Sequence, residues 1–207
     1  MTTTIHIAGN GATLLVLAHG AGAPCDHPHM QSIAEALAAE GIGTLRFNFP
    51  FMEEGRRRVD KTEVCLEAIE EALNAARELA PGASLYLGGH SFGGRMATHY
   101  AAERDISDIH GLVLFSFPLH VAKKPDTKRA DHLPDIRIPM LFLSGTRDTL
   151  AEQELLKHVS AGLPSASLHW LDTADHSFKI LKRTRKETED VYAEAARVAR
   201  AWITSAN

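Results

Sequence analysis

The chain contains 207 residues, of which 44% are hydrophobic and 23% charged, and no linker rich in Pro, Gly or Ser divides it. This composition is typical of one globular domain, here residues 1–207, and excludes disordered, collagen-like and coiled-coil chains. The formal net charge of −4 also argues against binding to nucleic acids or anionic membranes, which needs a basic excess, and leaves small molecules as the expected partners.

Predicted strands and helices alternate along the chain. Residues 13–18 form a short apolar run typical of a strand buried on both faces of a parallel sheet, and residues 5–7 are predicted to add an antiparallel edge strand. Further strands are predicted at residues 44–49, 84–88, 111–117, 139–144 and 167–171, and helices at 32–40, 60–80, 93–103, 149–160 and 187–203. This alternation predicts an α/β fold with a mostly parallel sheet and helices on both faces.

One segment interrupts the alternation. Residues 118–138 are rich in Lys, Asp and Pro and have no helical period, which indicates an irregular connection.

The cysteines and the amino terminus bear on the cellular compartment. Cys25 and Cys65 are too few for a disulfide framework, and the first residues lack the cationic start and apolar core of a signal peptide. The apolar stretch at residues 12–18 is far shorter than the roughly 20 residues that a membrane-spanning helix needs. We therefore expect a cytoplasmic protein without a membrane anchor.

Twelve histidines raise the question of a metal site. They are mostly scattered singly, and none lies in a His-Glu-x-x-His motif or in a Cys/His array with zinc spacing. In the densest group, residues 26–29, His27 and His29 flank Pro28 and cannot share a helical face. We predict that the protein uses neither a metal nor another cofactor.

The motif Gly89-His90-Ser91-Phe92-Gly93 lies between a predicted strand and a predicted helix. A nucleophile at such a turn sits on a tight, strained backbone, and small residues two positions before and after it keep the strand and helix from colliding. Ser91 is therefore the candidate nucleophile, and the alternative is a glycine-rich turn with an idle serine.

A serine nucleophile needs a base and a carboxylate that orients the base. Asp148 follows the strand at residues 139–144, and His176 follows the strand at residues 167–171, so both are expected at the same edge of the sheet as Ser91. His158 and His169 lie within predicted elements and are poorer candidates for the base. Competing acids are Asp172 and Asp175 on the loop of His176 and Asp126, Asp131 and Asp135 in the irregular connection.

Backbone N–H groups must also stabilise the oxyanion of the reaction. Phe92, directly after the nucleophile, is predicted to supply one, and Ala21 or, second, Gly22 in the loop at residues 19–23 the other. A phosphate-binding loop is an unfavoured alternative there, because no Lys-Ser/Thr pair follows and only part of G-x-G-x-x-G is present.

The His-Gly-Ala-Gly loop at residues 19–22, the Ser91 turn, Asp148 and His176 together resemble the α/β-hydrolase superfamily in order and position. The chain is also similar to a compact bacterial group of predicted hydrolases related to dienelactone-hydrolase-like proteins. The features that carry this similarity are its small size, the loop at residues 19–22 and the sequence Phe47-Asn-Phe-Pro-Phe. The resemblance implies an esterase-type fold and triad but no particular substrate. Dienelactone hydrolases have a cysteine nucleophile where this chain has Ser91, and residues 118–138 are too short for the full helical cap of larger relatives.

Residues near the expected site give hints about the substrate. Gly22, His90 and Phe117 are predicted to contact it, with Leu119 beside Phe117 as part of an apolar wall. Cys25 is expected to be a residue of the pocket wall, and the segment 26–29 is expected near the site. Arg46 and the arginines at residues 56–58 are expected on the same side and would recognise an anionic group of the substrate. The alternative for residues 56–58 is a solvated loop.

These observations favour a serine hydrolase of the carboxylesterase or thioesterase type, which forms an acyl-enzyme on Ser91. Two alternatives stay open. The chain could be a non-catalytic scaffold with a hydrolase fold, or an acyl transferase or perhydrolase that uses the same triad. Its oligomeric state is not predicted.

Overall fold

A seven-stranded sheet forms the centre of the computed structural model, which describes residues 4–206. Its strands are β1 (Thr4–Ile7), β2 (Thr13–Ala18), β3 (Gly43–Phe47), β4 (Ser84–His90), β5 (Ile109–Phe115), β6 (Met140–Gly145) and β7 (Ala166–Leu171), in the order β1-β3-β2-β4-β5-β6-β7. Only β1, at one edge, pairs antiparallel with its neighbour. The predicted α/β fold and its antiparallel edge strand are confirmed.

Helices cover both faces of this sheet. They are α1 (Pro28–Ala39), α2 (Pro50–Glu53), α3 (Thr62–Leu79), α4 (Phe92–Glu103), α5 (Gln153–Ala161) and α6 (Val191–Ala206). Helices α1 and α6 pack together on one face, and α3 and α4 pack together on the other. No helix within residues 4–206 is long and apolar enough to cross a membrane.

The central strands are apolar because both of their faces are buried. Along β2, Leu14 and Val16 point into the core under α3 and α4, whereas Leu15 and Leu17 point into the core under α1 and α6. Successive side chains of a strand point to opposite faces, so a strand covered on both sides reads as a continuous apolar run.

Residues 116–139 connect β5 to β6 without a helix of α type. They hold an isolated bridge between Val121 and Lys124 and two short 3-10 turns, Lys128–Ala130 and Leu133–Asp135. The predicted irregular connection is therefore confirmed, and no cap domain is inserted at this point.

Several element ends differ from prediction. Strand β3 stops at Phe47, because Pro50 begins the unpredicted four-residue helix α2. Strand β5 ends at Phe115, because Ser116 adopts a left-handed backbone conformation with a φ of 52°.

Parallel pairing places the carboxyl ends of β2, β4, β6 and β7 along one edge of the sheet. The chain segments that follow these four strands, with His19, Ser91, Asp148 and His176, therefore meet above that edge.

Candidate active site

Ser91 occupies the turn between β4 and α4, with a φ of 53° and a ψ of −116°. This conformation is strained for a residue with a side chain and is a recurrent feature of functional turns. The neighbouring glycines leave no room for a side chain, since a Cβ on Gly89 or Gly93 would lie 2.6 or 2.4 Å from the carbonyl oxygen of Ala18. Strand β2, the turn and the start of α4 thus approach each other more closely than alanine would allow.

A chain of hydrogen bonds links Ser91 to a buried carboxylate. The distance from Ser91 Oγ to His176 Nε2 is 2.7 Å, and that from His176 Nδ1 to Asp148 Oδ2 is 2.8 Å. The Asp148 side chain is fully buried, and its Oδ1 accepts the N–H of Leu150 at 2.8 Å. The carboxylate accepts the Nδ1 proton of His176 and leaves Nε2 free to take a proton from Ser91.

The competing acids have other partners or positions. Asp172 accepts the N–H of Lys186, and Asp175 accepts the N–H groups of Ser177 and Lys179. The three acids of the irregular connection, Asp126, Asp131 and Asp135, are exposed on the surface.

The two competing histidines also lie away from Ser91. His169 bonds Glu194 at 2.8 Å, and His158 is exposed on α5. Of the candidate acids and bases, only Asp148 and His176 are hydrogen-bonded in a chain to Ser91 within residues 4–206.

The loop after β2 is held by the buried imidazole of His19. Its Nε2 accepts the backbone N–H of Phe49 at 3.0 Å, so the proton is on Nδ1, which donates to the carbonyl of Gly20 at 2.6 Å. Burial lowers the pKa of His19 and keeps the ring neutral. This side chain therefore joins the loop to the segment before α2.

The predicted oxyanion donors belong to the start of α4 and to the loop after β2. Phe92 is the first residue of α4, where a backbone N–H has no partner inside the helix. Ala21 and Gly22 line the cavity that also contains Ser91 and His176, and a Cβ on Gly22 would meet nothing within 4 Å.

The cavity has a volume of about 570 Å³, within the usual range of small-ligand sites, which is roughly 300–1,000 Å³. The loop after β2, the start of α1, residues 176–179 and the start of α6 form its walls. Tyr192, Phe178 and Lys179 belong to these walls and were not predicted from the sequence. No local motif marks them, because they reach the cavity only through the packing of α6 and of the loop before it.

His29 and His90 stand side by side in the cavity wall. Their ring centroids are 4.5 Å apart in an edge-to-face arrangement, and His29 Nδ1 lies 2.9 Å from the hydroxyl of Tyr192. Burial lowers the pKa of His90 to about 3 and that of His29 to about 4. Both rings are therefore neutral at neutral pH.

Phe117 and Leu119 do not form a wall of the cavity, contrary to prediction. Phe117 is 1% exposed and lies in the core, where its ring packs edge-on against Phe142, and Leu119 is fully buried there. The cause is the early end of β5, since the turn at Ser116 directs the following residues back into the protein.

The arginines expected to recognise an anion also lie elsewhere. Arg46 is fully buried inside β3 and donates to the carbonyl of Cys25 and to Gln31. Cys25 is itself fully buried in the core and is not a wall residue. Arg56 is exposed and pairs with Glu54 and Asp60, as the solvated-loop alternative requires. His27 and His29 do line the cavity.

Within the part of the chain that the structure describes, no group of three or more His, Cys, Asp or Glu side chains is arranged to hold a metal ion.

Comparison with known proteins places this geometry in context. A family model described as an alpha/beta hydrolase domain matches residues 11–204. A ferulic acid complex of Est1E from Butyrivibrio proteoclasticus superimposes with a TM-score of 0.78 at 16% identity, covering 99% of this chain and 96% of that one.

Two further solved structures are similar. A dienelactone hydrolase from Anabaena variabilis has a TM-score of 0.76 at 22% identity, covering 99% of this chain and 91% of its own. A monoacylglycerol lipase from Paleococcus ferrophilus has a TM-score of 0.74 at 18% identity, with all of both chains covered. At these identities the likeness establishes the shared fold.

Proposed function

Because the chain belongs to the alpha/beta hydrolase family, we propose that it is a serine hydrolase that cleaves small carboxylic esters or thioesters. The observation that carries this proposal is the hydrogen-bonded chain from Asp148 through His176 to Ser91 at a cavity of small-ligand size. The presence of a dienelactone hydrolase and a monoacylglycerol lipase among similar structures agrees with this class of substrate.

In the first half of the reaction, Ser91 Oγ attacks the carbonyl carbon while His176 Nε2 takes the hydroxyl proton. The N–H groups of Phe92 and Ala21 donate to the oxyanion of the tetrahedral intermediate. The bond to the leaving oxygen or sulfur then breaks, and His176 returns the proton to the leaving group. The product of this half is an acyl-enzyme on Ser91 and a free alcohol or thiol.

In the second half, water attacks the acyl-enzyme. His176 accepts a proton from the water. As the second tetrahedral intermediate collapses and releases the acid, His176 Nε2 returns this proton to Ser91 Oγ and the free enzyme is regenerated. Asp148 remains ionised throughout and stabilises the imidazolium form of His176. These steps use side chains and backbone N–H groups of the protein, together with water.

Replacement of Ser91 tests the proposal directly. We expect Ser91→Ala to reduce kcat for p-nitrophenyl acetate by at least about 10³-fold, because no acyl-enzyme can form. A fluorophosphonate should label Ser91 of the wild-type protein, as located by mass spectrometry. The matched control is Ser107→Ala, at an exposed serine two residues before the start of β5. This variant should keep full activity and labelling.

The alternatives give different results. A non-catalytic scaffold would show neither hydrolysis nor labelling at Ser91, and either absence would sink the proposal. An acyl transferase or perhydrolase would be labelled too, but with a competing alcohol or peroxide it would form the new ester or peracid in place of the free acid.

A further inference from the structure

His90 lies at the end of β4, directly before the proposed nucleophile, and it contacts both of the other loops of the site. We propose that His90 is a positioning residue that holds the backbone of His176 over Ser91 and sets the spacing between the His176 loop and the loop after β2. This inference rests on the proposed function, since it assigns a role within the same site.

The contact with the base is a hydrogen bond to the main chain. His90 Nε2 lies 2.9 Å from the carbonyl oxygen of His176. A carbonyl oxygen can only accept, so Nε2 must carry the proton and donate it. Because burial lowers the pKa of His90 to about 3, the ring is neutral at neutral pH and keeps its proton on Nε2.

The contact with the loop after β2 is steric. A Cβ built on Gly20 would lie 3.0 Å from His90 Nδ1, closer than an ordinary van der Waals contact. The ring of His90 therefore abuts Gly20, the residue before the predicted oxyanion donor Ala21. One imidazole thus separates the segment that carries the oxyanion donor from the segment that carries the base.

The ring of His90 is held in this orientation by the packing of His29 against it. His29 packs edge-to-face against His90 with centroids 4.5 Å apart, and it is itself bonded to the hydroxyl of Tyr192 and packed edge-on against Phe178 at 5.4 Å. His29 Nε2 is buried without a hydrogen-bond partner within residues 4–206. Ring packing and the single bond to Tyr192 therefore fix His29, and His29 in turn restricts His90.

The His176 loop needs such support because of its length and shape. It runs from the end of β7 at Leu171 to the start of α6 at Val191, and Thr173 and Phe178 within it have φ values of 57° and 62°. A misplacement of a catalytic group by about 1 Å can reduce the rate about 10²-fold. A fixed donor to the carbonyl of His176 restrains the segment next to the reacting imidazole.

Two substitutions separate the donor from the bulk of the ring. His90→Met keeps a long side chain but removes the donor, and we expect kcat for p-nitrophenyl acetate to fall about 10- to 100-fold, with KM changed less than about threefold. His90→Gln retains an N–H donor and should recover kcat to within about fivefold of wild type. His110→Met, at an exposed position near the other end of the sheet, is the matched control.

The steric part is tested by a double-mutant cycle. Gly20→Ala should reduce kcat in the wild-type background by pushing against the His90 ring, and it should reduce kcat less in His90→Met, whose flexible side chain can yield. Equal effects in the two backgrounds would show that the contact with Gly20 does not set the spacing.

A measurement on the unmodified protein covers the case in which the variants fold poorly. Nitrogen-15 NMR of the imidazoles should show His90 as the neutral Nε2–H tautomer. A proton on Nδ1 would overturn the inference, as would a His90→Met enzyme with wild-type kcat or a His90→Gln enzyme as slow as His90→Met. If the wild-type protein has no Ser91-dependent activity, the proposed function fails instead, and the two failures are thus distinguishable.

Discussion

The base of the proposed triad works in only one of its two neutral tautomers. The proton of His176 must be on Nδ1 so that Nε2 can accept the proton of Ser91, and Asp148 enforces this choice. Asp148 can do so because its side chain is fully buried and its second oxygen is occupied by the N–H of Leu150. Only Oδ2 of the carboxylate is then left to accept the Nδ1 proton of His176.

Asp148→Asn should therefore reduce activity with little effect on folding. If the amide oxygen keeps the bond to Leu150, the amide N–H faces His176 Nδ1 and moves the imidazole proton to Nε2. We expect kcat to fall on the order of 10³- to 10⁴-fold, as measured by steady-state ester hydrolysis. Asp131→Asn, at an exposed acid of the irregular connection, is the control and should keep wild-type kcat. Near-normal activity of Asp148→Asn would mean that another acid orients His176.

At the scale of elements, the site depends on the close approach of β2, β4 and α4. Gly93 is the second residue of α4, and a Cβ built on it would lie 2.4 Å from the carbonyl oxygen of Ala18 and 2.6 Å from that of His19. Backbone atoms cannot move aside as a flexible side chain can, so a substituent there must displace the helix.

Gly93→Ala is accordingly expected to destabilise the protein by about 1–3 kcal/mol in urea unfolding and to lower ester hydrolysis as Ser91 shifts with α4. Gly162→Ala is a matched control, because a Cβ on Gly162 makes only ordinary contacts and its φ of −80° suits alanine. Equal stability of the two variants would contradict the close packing described at the Ser91 turn.

At the scale of the whole molecule, the buried histidines make the stability of the fold depend on pH. Burial lowers the pKa of His19, and it lowers the pKa values of His29 and His132 to about 4 and of His90 to about 3. An unfolded chain binds protons at these histidines near pH 6.5, whereas the folded protein does not. Their contribution to stability is therefore complete above about pH 6.5 and is lost as the pH falls through the pKa of each histidine in the folded protein, which is about 4 for His29 and His132 and about 3 for His90.

We expect the free energy of unfolding, measured in urea, to fall between about pH 7 and about pH 5. His132→Gln removes one of these histidines and can still donate a hydrogen bond to Thr98, as His132 does. This variant should lose less stability over the same interval, by up to about 1–2 kcal/mol. His110→Gln, at an exposed histidine, should leave the slope close to that of wild type. A slope unchanged by His132→Gln would show that protonation of His132 is not coupled to unfolding.

Short-range physical constraints made much of this protein predictable from its sequence. Apolar runs of strand length, separated by amphipathic segments, specify a parallel sheet with helices on both faces. The glycines around Ser91 reflect the sterics of one tight turn. The placement of Asp148 and His176 near Ser91 is predictable because parallel strands bring the chain segments that follow them to a common edge.

The tertiary structure decided which other side chains reach the cavity. The sequence predicts Phe117 and Arg46 near the substrate, but the left-handed turn at Ser116 sends Phe117 into the core, and Arg46 is buried within β3. Conversely, His90 meets a residue 86 positions away, and His29 meets Tyr192 at a separation of 163. Such contacts depend on the packing of α1, α6 and the His176 loop. No local sequence pattern encodes them, because the pattern that forms a helix or strand does not specify which distant residues pack against it.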